Sequence, residues 1–365
     1  MNPIEKLKKF LKENDYEGIL LKSRRNFSWL TEGKHNHIVL SDSSGVADWL
    51  IFQDAHYLIT TSMEEARILK EECRDLSFSF EKRSIGWMES TESIVKELTK
   101  GKRIASDTPY SDFDHVDHLL ADIRSVLSLN EISRYRYLCQ EAGEMVESVC
   151  HQIKPGMTEF EIASMVHVKT VERGINVQVA LVATDERIYQ YRHPIPTMKQ
   201  LERHAMVVLC AESGGLVANV TRFVHFGEVP AVLRENIKKT AQIDVKMNAV
   251  TLPGNEAGFV IQTAMEEYHA AGFPDDWKLL HQGGLTGYQS RERLAVLNDK
   301  SIIKENQAYA WNPSLPGFKS EDTILVHKNK VEFMTHTGDW PSICVKQDEI
   351  LYKRPDILVR KILTV

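Results

Sequence analysis

Around residue 130 the hydrophobic period of the chain changes, and that change limits the fold more tightly than any composition figure. Before it, short elements alternate. Ile4, Leu7, Phe10 and Leu11 stripe one helical face, and residues 18–21 follow as a short buried strand. Residues 37–40, 46–52 and 56–60 read as further strands. Ser62-Met63-Glu64-Glu65 reads as a capping box opening a helix to about Lys70. Alternation continues through 78–80, 93–98 and 103–105 to a turn-rich stretch at 107–112. After it, Ile132, Tyr135, Cys139, Ala142, Val146 and Val149 recur at helical spacing along one long amphipathic helix, broken by Lys154-Pro155-Gly156-Met157. Thr158 and Glu161 form a second capping box, whose helix ends near Gly174. Residues 206–210 are then continuously apolar, 212–215 turn, and 216–224 form a second strand. The pattern predicts an α/β (α+β) chain with domains at 1–128 and 129–365. Its 365 residues exceed the usual size of one core.

Charge and cysteine usage narrow the class. A net charge of −6 opposes a nucleic-acid footprint, which needs a basic surface. Residues 205–211, the longest apolar stretch, are too short to cross a bilayer, and residues 1–14 lack the apolar core of a signal peptide. Cys73, Cys139, Cys150, Cys210 and Cys344 are odd in number and scattered, as in a reduced chain. The expectation is a soluble cytoplasmic protein with no membrane or nucleic-acid partner.

Several local patterns carry more. Asn26-Phe27-Ser28-Trp29-Leu30-Thr31 lies in the first part. In the second come Ile153-Lys154-Pro155-Gly156-Met157-Thr158-Glu159, Arg192-His193-Pro194-Ile195-Pro196-Thr197, Gly215-Leu216-Val217-Ala218-Asn219-Val220-Thr221-Arg222, His281-Gln282-Gly283-Gly284 and Gly317-Phe318-Lys319-Ser320-Glu321-Asp322-Thr323. In this order they resemble the creatinase/prolidase/aminopeptidase P family, M24. The resemblance implies a creatinase-like N-terminal α/β domain followed by a "pita-bread" catalytic-type domain. It also implies a homodimer and a small-molecule or short-peptide ligand.

Metal-dependent members of that family hold two ions with two Asp, one His and two Glu. Carried across, the positions read Val208 (or Cys210 after a two-residue shift), Asn219, Leu285, Asn312 and Glu321, so the resemblance predicts a lost metal site and no cofactor. His193 is then expected as proton shuttle, since histidine titrates near neutrality, with Glu321 as its acid/base and orienting partner. Asn219 and Thr221, two apart on one strand, would line the cavity with Asn312. Arg222 and Arg291 would clamp a substrate carboxylate, and His281 would line the pocket. Three readings follow. The first is a metal-independent hydrolase of a C–N bond in a small peptide-like or amidino substrate. The second is an inactive pita-bread binding protein. The third is a metal-dependent Xaa-Pro peptidase with an atypical site.

Overall fold

A computed structural model describes residues 1–361. The chain divides into two compact units. One comprises residues 1–131 with 214–216, and the other 132–213 with the described chain from 217 onward.

The first unit opens on a helix, Pro3–Glu13, that does what its sequence dictates. Asn2 and Glu5 cap its end reciprocally, Pro3 supplies a fixed φ in the first turn, and Ile4, Leu7, Phe10 and Leu11 are buried. Strands β1 (Gly18–Ser23), β2 (Ser44–Phe52), β3 (His56–Thr61), β4 (Glu81–Ile85), β5 (Ile104–Ser106) and β6 (Asp114–His115) form one sheet in the order β4-β3-β2-β1-β5-β6. Leu20, Leu50, Ile59 and Val95 make its core.

Three local expectations fail here. Residues 37–40 form no strand, and Ile38, Val39 and Leu40 stand exposed. Residues 78–80 also stay outside the sheet, because the Phe78 and Phe80 rings are spent edge-on against Trp49. The Ser62 capping box does not form. The Ser62 N–H already donates to Ile85 O at 2.8 Å, and the Glu65 carboxylate is taken by Lys82 of β4. Only a short helix, Glu65–Arg67, results, followed by a wide turn at Ile68–Glu72.

The second unit begins with the long helix Leu129–Gln152, most of it in this unit. The next capping box does form. Thr158 Oγ1 accepts from the Glu161 N–H, Glu161 reaches back to the Thr158 N–H at 2.7 Å, and the helix Glu159–Val171 follows. Strands β7 (Asn176–Thr184), β8 (His204–Ser213) and β9 (Leu216–Phe226) are neighbours in one sheet. Nearly every residue of β8 and β9 is buried, as an unbroken apolar run requires. Strands β10 (Gly283–Thr286), β11 (Arg293–Leu294), β12 (Ala308–Trp311), β13 (Ser314–Leu315), β14 (Phe318–Lys319), β15 (Asp322–Val326) and β16 (Val331–Phe333) follow. Of these, β11-β10-β12-β15-β16 make a second sheet, and β13 pairs with β14. Gly283 and Gly284 let β10 fit between its neighbours. Both have positive φ, and a Cβ there would lie 2.1 Å from a carbonyl oxygen of β12 or β11.

Candidate active site

Three hydrogen bonds hold the site. Asn219 N–H donates to Thr323 Oγ1 at 2.7 Å, and Thr323 Oγ1 donates back to Asn219 O at 3.1 Å. The Thr221 N–H donates to Glu321 O at 3.1 Å. Strand β9 is thereby fixed against the segment that leads into β15.

In front of this seam lies a cavity of about 490 Å³. His193, Asn219, His281, Arg291, Asn312 and Glu321 line it, together with Cys210, Lys319, Ser290 and apolar groups of β7 and β8. Six of the eight residues expected from sequence therefore meet here. Thr221 stands behind them, its Oγ1 donating to Glu321 Oε2 at 2.6 Å. Arg222 is not brought to the cavity. Alternation along β9 sends its guanidinium to the opposite side, where Glu147 (3.1 Å), Asp322 (3.0 Å) and the Thr221 and Thr335 carbonyls engage it in full burial.

Glu321 is the electrostatic centre. Arg291 Nη2 donates to Oε1 at 2.9 Å and Lys319 Nζ to Oε2 at 2.7 Å. Burial raises the carboxyl pKa, but the two cations and these hydrogen bonds outweigh it and bring it down to about 2. Glu321 is thus ionised and bonded on both oxygens, which makes it an anchor rather than a base. Its expected pairing with His193 is not a direct hydrogen bond, since its side-chain partners are Lys319, Arg291 and Thr221. Lys319 went unweighed in the sequence, although it lies two residues before Glu321 in a recognised motif.

His193 stands at the mouth, its ring 5.6 Å from that of His281. The residue is exposed, yet desolvation by the wall lowers its pKa first, then the charge of Lys319. His281 is pushed to about 4 by burial, then by Arg291 and His193. Both imidazoles are neutral at pH 7. Burial lifts the Cys210 thiol to about 12, so it offers no nucleophile. Four buried polar atoms here have no hydrogen-bond partner among the described residues: Asn219 Oδ1, Asn312 Oδ1, His281 Nδ1 and Arg291 Nε.

The loop carrying His193 is tied down by one residue that the sequence did not single out. Glu159, fully buried, accepts from the Thr184 N–H (2.8 Å), Arg187 Nε (3.1 Å), the Thr197 N–H (2.9 Å) and Thr197 Oγ1 (2.7 Å). Asp185, held at positive φ, accepts from the N–H groups of Glu202, Arg203 and His204 and closes the loop's base.

Comparison with known proteins places this geometry. The sequence model of metallopeptidase family M24 matches residues 133–328, more than half of the chain, and the creatinase/prolidase N-terminal domain matches residues 3–137. The Xaa-Pro dipeptidase of Pyrococcus furiosus is 22% identical over 353 residues, covering 92% of this chain and 97% of its own. The prolidase structure from Pyrococcus horikoshii superposes with a TM-score of 0.77 at 20% identity, over 92% of this chain and 98% of its own. The N-terminal domain of FACT complex subunit SPT16 from chickpea shares the fold at a TM-score of 0.70 and 11% identity, over 93% and 97% of the two chains.

These findings overturn the expectation of a protein without a metal cofactor. The family that covers most of the second unit is one of metallopeptidases, and the expectation rested on counting unmatched motif positions. What the side chains show is narrower. Among the described residues no group of three or more His, Cys, Asp or Glu is gathered to hold an ion. The single carboxylate of the cavity is already bound by Lys319 and Arg291. As placed, this donor set does not fit a pair of divalent ions, and no step below passes through one. On the matched models and the fold, the chain belongs to metallopeptidase family M24, with a creatinase/prolidase N-terminal domain preceding its pita-bread domain.

Proposed function

We propose that the cavity hydrolyses a C–N bond of a small peptide-like or amidino compound, the class of bond that a dipeptidase cuts, with His193 as the general base. The observation that supports it is an exposed imidazole, kept neutral by desolvation and the charge of Lys319, in a cavity whose one carboxylate is held at about 2. A base for water must be unprotonated at working pH and within reach of solvent. His193 meets both conditions, whereas a carboxylate with a pKa of about 2 is too weak a base. In this reading His193 takes a proton from water as the oxygen attacks the scissile carbon. It returns that proton to the leaving nitrogen as the C–N bond breaks. Lys319, Arg291 and Asn312 hold the substrate, and Glu321 holds the two cations in place. A cytoplasmic homodimer belongs to the same proposal.

The test is turnover by the full chain of Xaa-Pro dipeptides, N-acyl amino acids and amidino acids, with added Mn or Co and with chelator. His193→Asn should lower kcat by roughly 10²–10⁴-fold with binding retained. Full activity in that variant would remove His193 from the chemistry. A second reading, a binding protein without turnover, is favoured by the saturation of Glu321. Saturable binding of these compounds with no product in any condition would establish it.

A further inference from the structure

Taking this cavity as the ligand site, we propose that its ligand is a small carboxylate without a free ammonium group, of the N-acyl amino acid kind, seated on Lys319 and Arg291. The argument is a count of charges and of hydrogen-bonding groups. Lys319 and Arg291 face one carboxylate, Glu321, and the three side chains are only 7%, 12% and 4% exposed. Two positive charges against one negative leave an excess of one. Protonating either histidine, or Glu321 itself, would only enlarge that excess. Buried charge is normally matched by opposite charge, and the residues lining this cavity include no second anion.

The hydrogen-bonding groups point the same way. Each oxygen of Glu321 is already taken, one by Arg291 and the other by Lys319 and Thr221. An incoming ammonium group would therefore find at most one lone pair left on Glu321, on Oε1 beside the Arg291 guanidinium. Arg291 Nε, in contrast, is a buried donor with no acceptor among the described residues. The acceptors left over, Asn219 Oδ1 and Asn312 Oδ1, are neutral and fully buried. Such oxygens suit the N–H of an amide better than a cation. Val179, Leu181, Ile195 and Val208 add an apolar wall for an acyl group or an aliphatic side chain. In an N-acyl amino acid the amide C–N is also a bond of the proposed type. One water adds to the acyl carbon, the C–N bond breaks, and the proton passes to the departing amino nitrogen, leaving a carboxylic acid and an amino acid.

Three matched probes test this by calorimetric titration of the full chain: N-acetylalanine, glycylalanine and N-acetylalaninamide. Titration of His193→Asn in parallel keeps turnover from consuming the probe. N-acetylalanine should bind about tenfold or more tightly than either of the others, since only it brings a negative charge with no positive one. Lys319→Met should abolish that preference, and Lys319→Arg should keep it while thermal melts confirm that both variants fold. Equal or tighter binding of glycylalanine, an unchanged preference in Lys319→Met, or no binding of any probe at millimolar concentration would overturn the proposal. The preference without turnover would sink the hydrolase reading alone. Turnover of free-amine dipeptides without the preference would sink this inference alone.

Discussion

Lys319 and His193 show how two neighbouring side chains divide the labour of a charged cavity. Desolvation and the ammonium of Lys319 both disfavour imidazolium at position 193, so that base stays neutral to a lower pH than a free histidine would. The sign follows directly. With substrate saturation avoided, kcat/KM should be flat around neutrality and fall only as pH drops below the ordinary histidine value of 6.5. In Lys319→Gln that acid limb should move to higher pH, because one of the cations opposing protonation is gone. An acid limb unmoved by this change would mean that Lys319 does not act on His193. Arg222 gives the opposite lesson. Its chemistry suits a carboxylate clamp, yet its position on β9 hands it to Glu147 and Asp322.

Among the elements, the loop after β7 matters most, because it carries His193 without regular structure of its own over residues 191–198. One acceptor, Glu159, holds it at both ends through Thr184 and Thr197. Glu159→Gln would turn one acceptor into a donor facing donors. A loss of about 1–3 kcal/mol in unfolding free energy is expected, the range for a buried hydrogen-bonded charge, with faster amide exchange at Thr184 and Thr197. Chemical denaturation and hydrogen exchange would measure both. A variant of unchanged stability with both amides still protected would show that the loop is held by other contacts.

Across the whole second unit, the acid side of the stability curve is set partly by His204 at the start of β8. Its ring stacks on Phe223 at 5.6 Å, with Nε2 2.9 Å from Gly317 O and Nδ1 3.2 Å from Val224 O. Burial, the largest cause, depresses its pKa to about 4. The native state therefore refuses a proton that the unfolded chain accepts below pH 6.5. Stability is full above about 6.5 and declines as pH falls toward about 4, by on the order of 3 kcal/mol from this residue. Thermal melts of His204→Phe should show a shallower decline over that window than the parent. Identical slopes would assign the acid sensitivity to the buried carboxylates instead.

Much of the framework was present in the sequence, because caps and periods act over three or four residues. Thr158 and Glu161 start their helix as read, the apolar run at 206–210 lies in a strand buried on both faces, and residues 193, 219, 281, 312 and 321 do line one cavity. The same reasoning went astray where a distant partner intervened. Lys82 takes Glu65 from its capping box, residues 37–40 form no strand, and Arg222 turns toward Glu147. The grip of Lys319 and Arg291 on Glu321, which sets the charge of the cavity, was likewise invisible in the motifs. Local hydrogen bonding is encoded within one turn or one strand. The sign of a buried site depends on which segments, here residues 291 and 319–321, the folded sheets bring within hydrogen-bonding distance of each other.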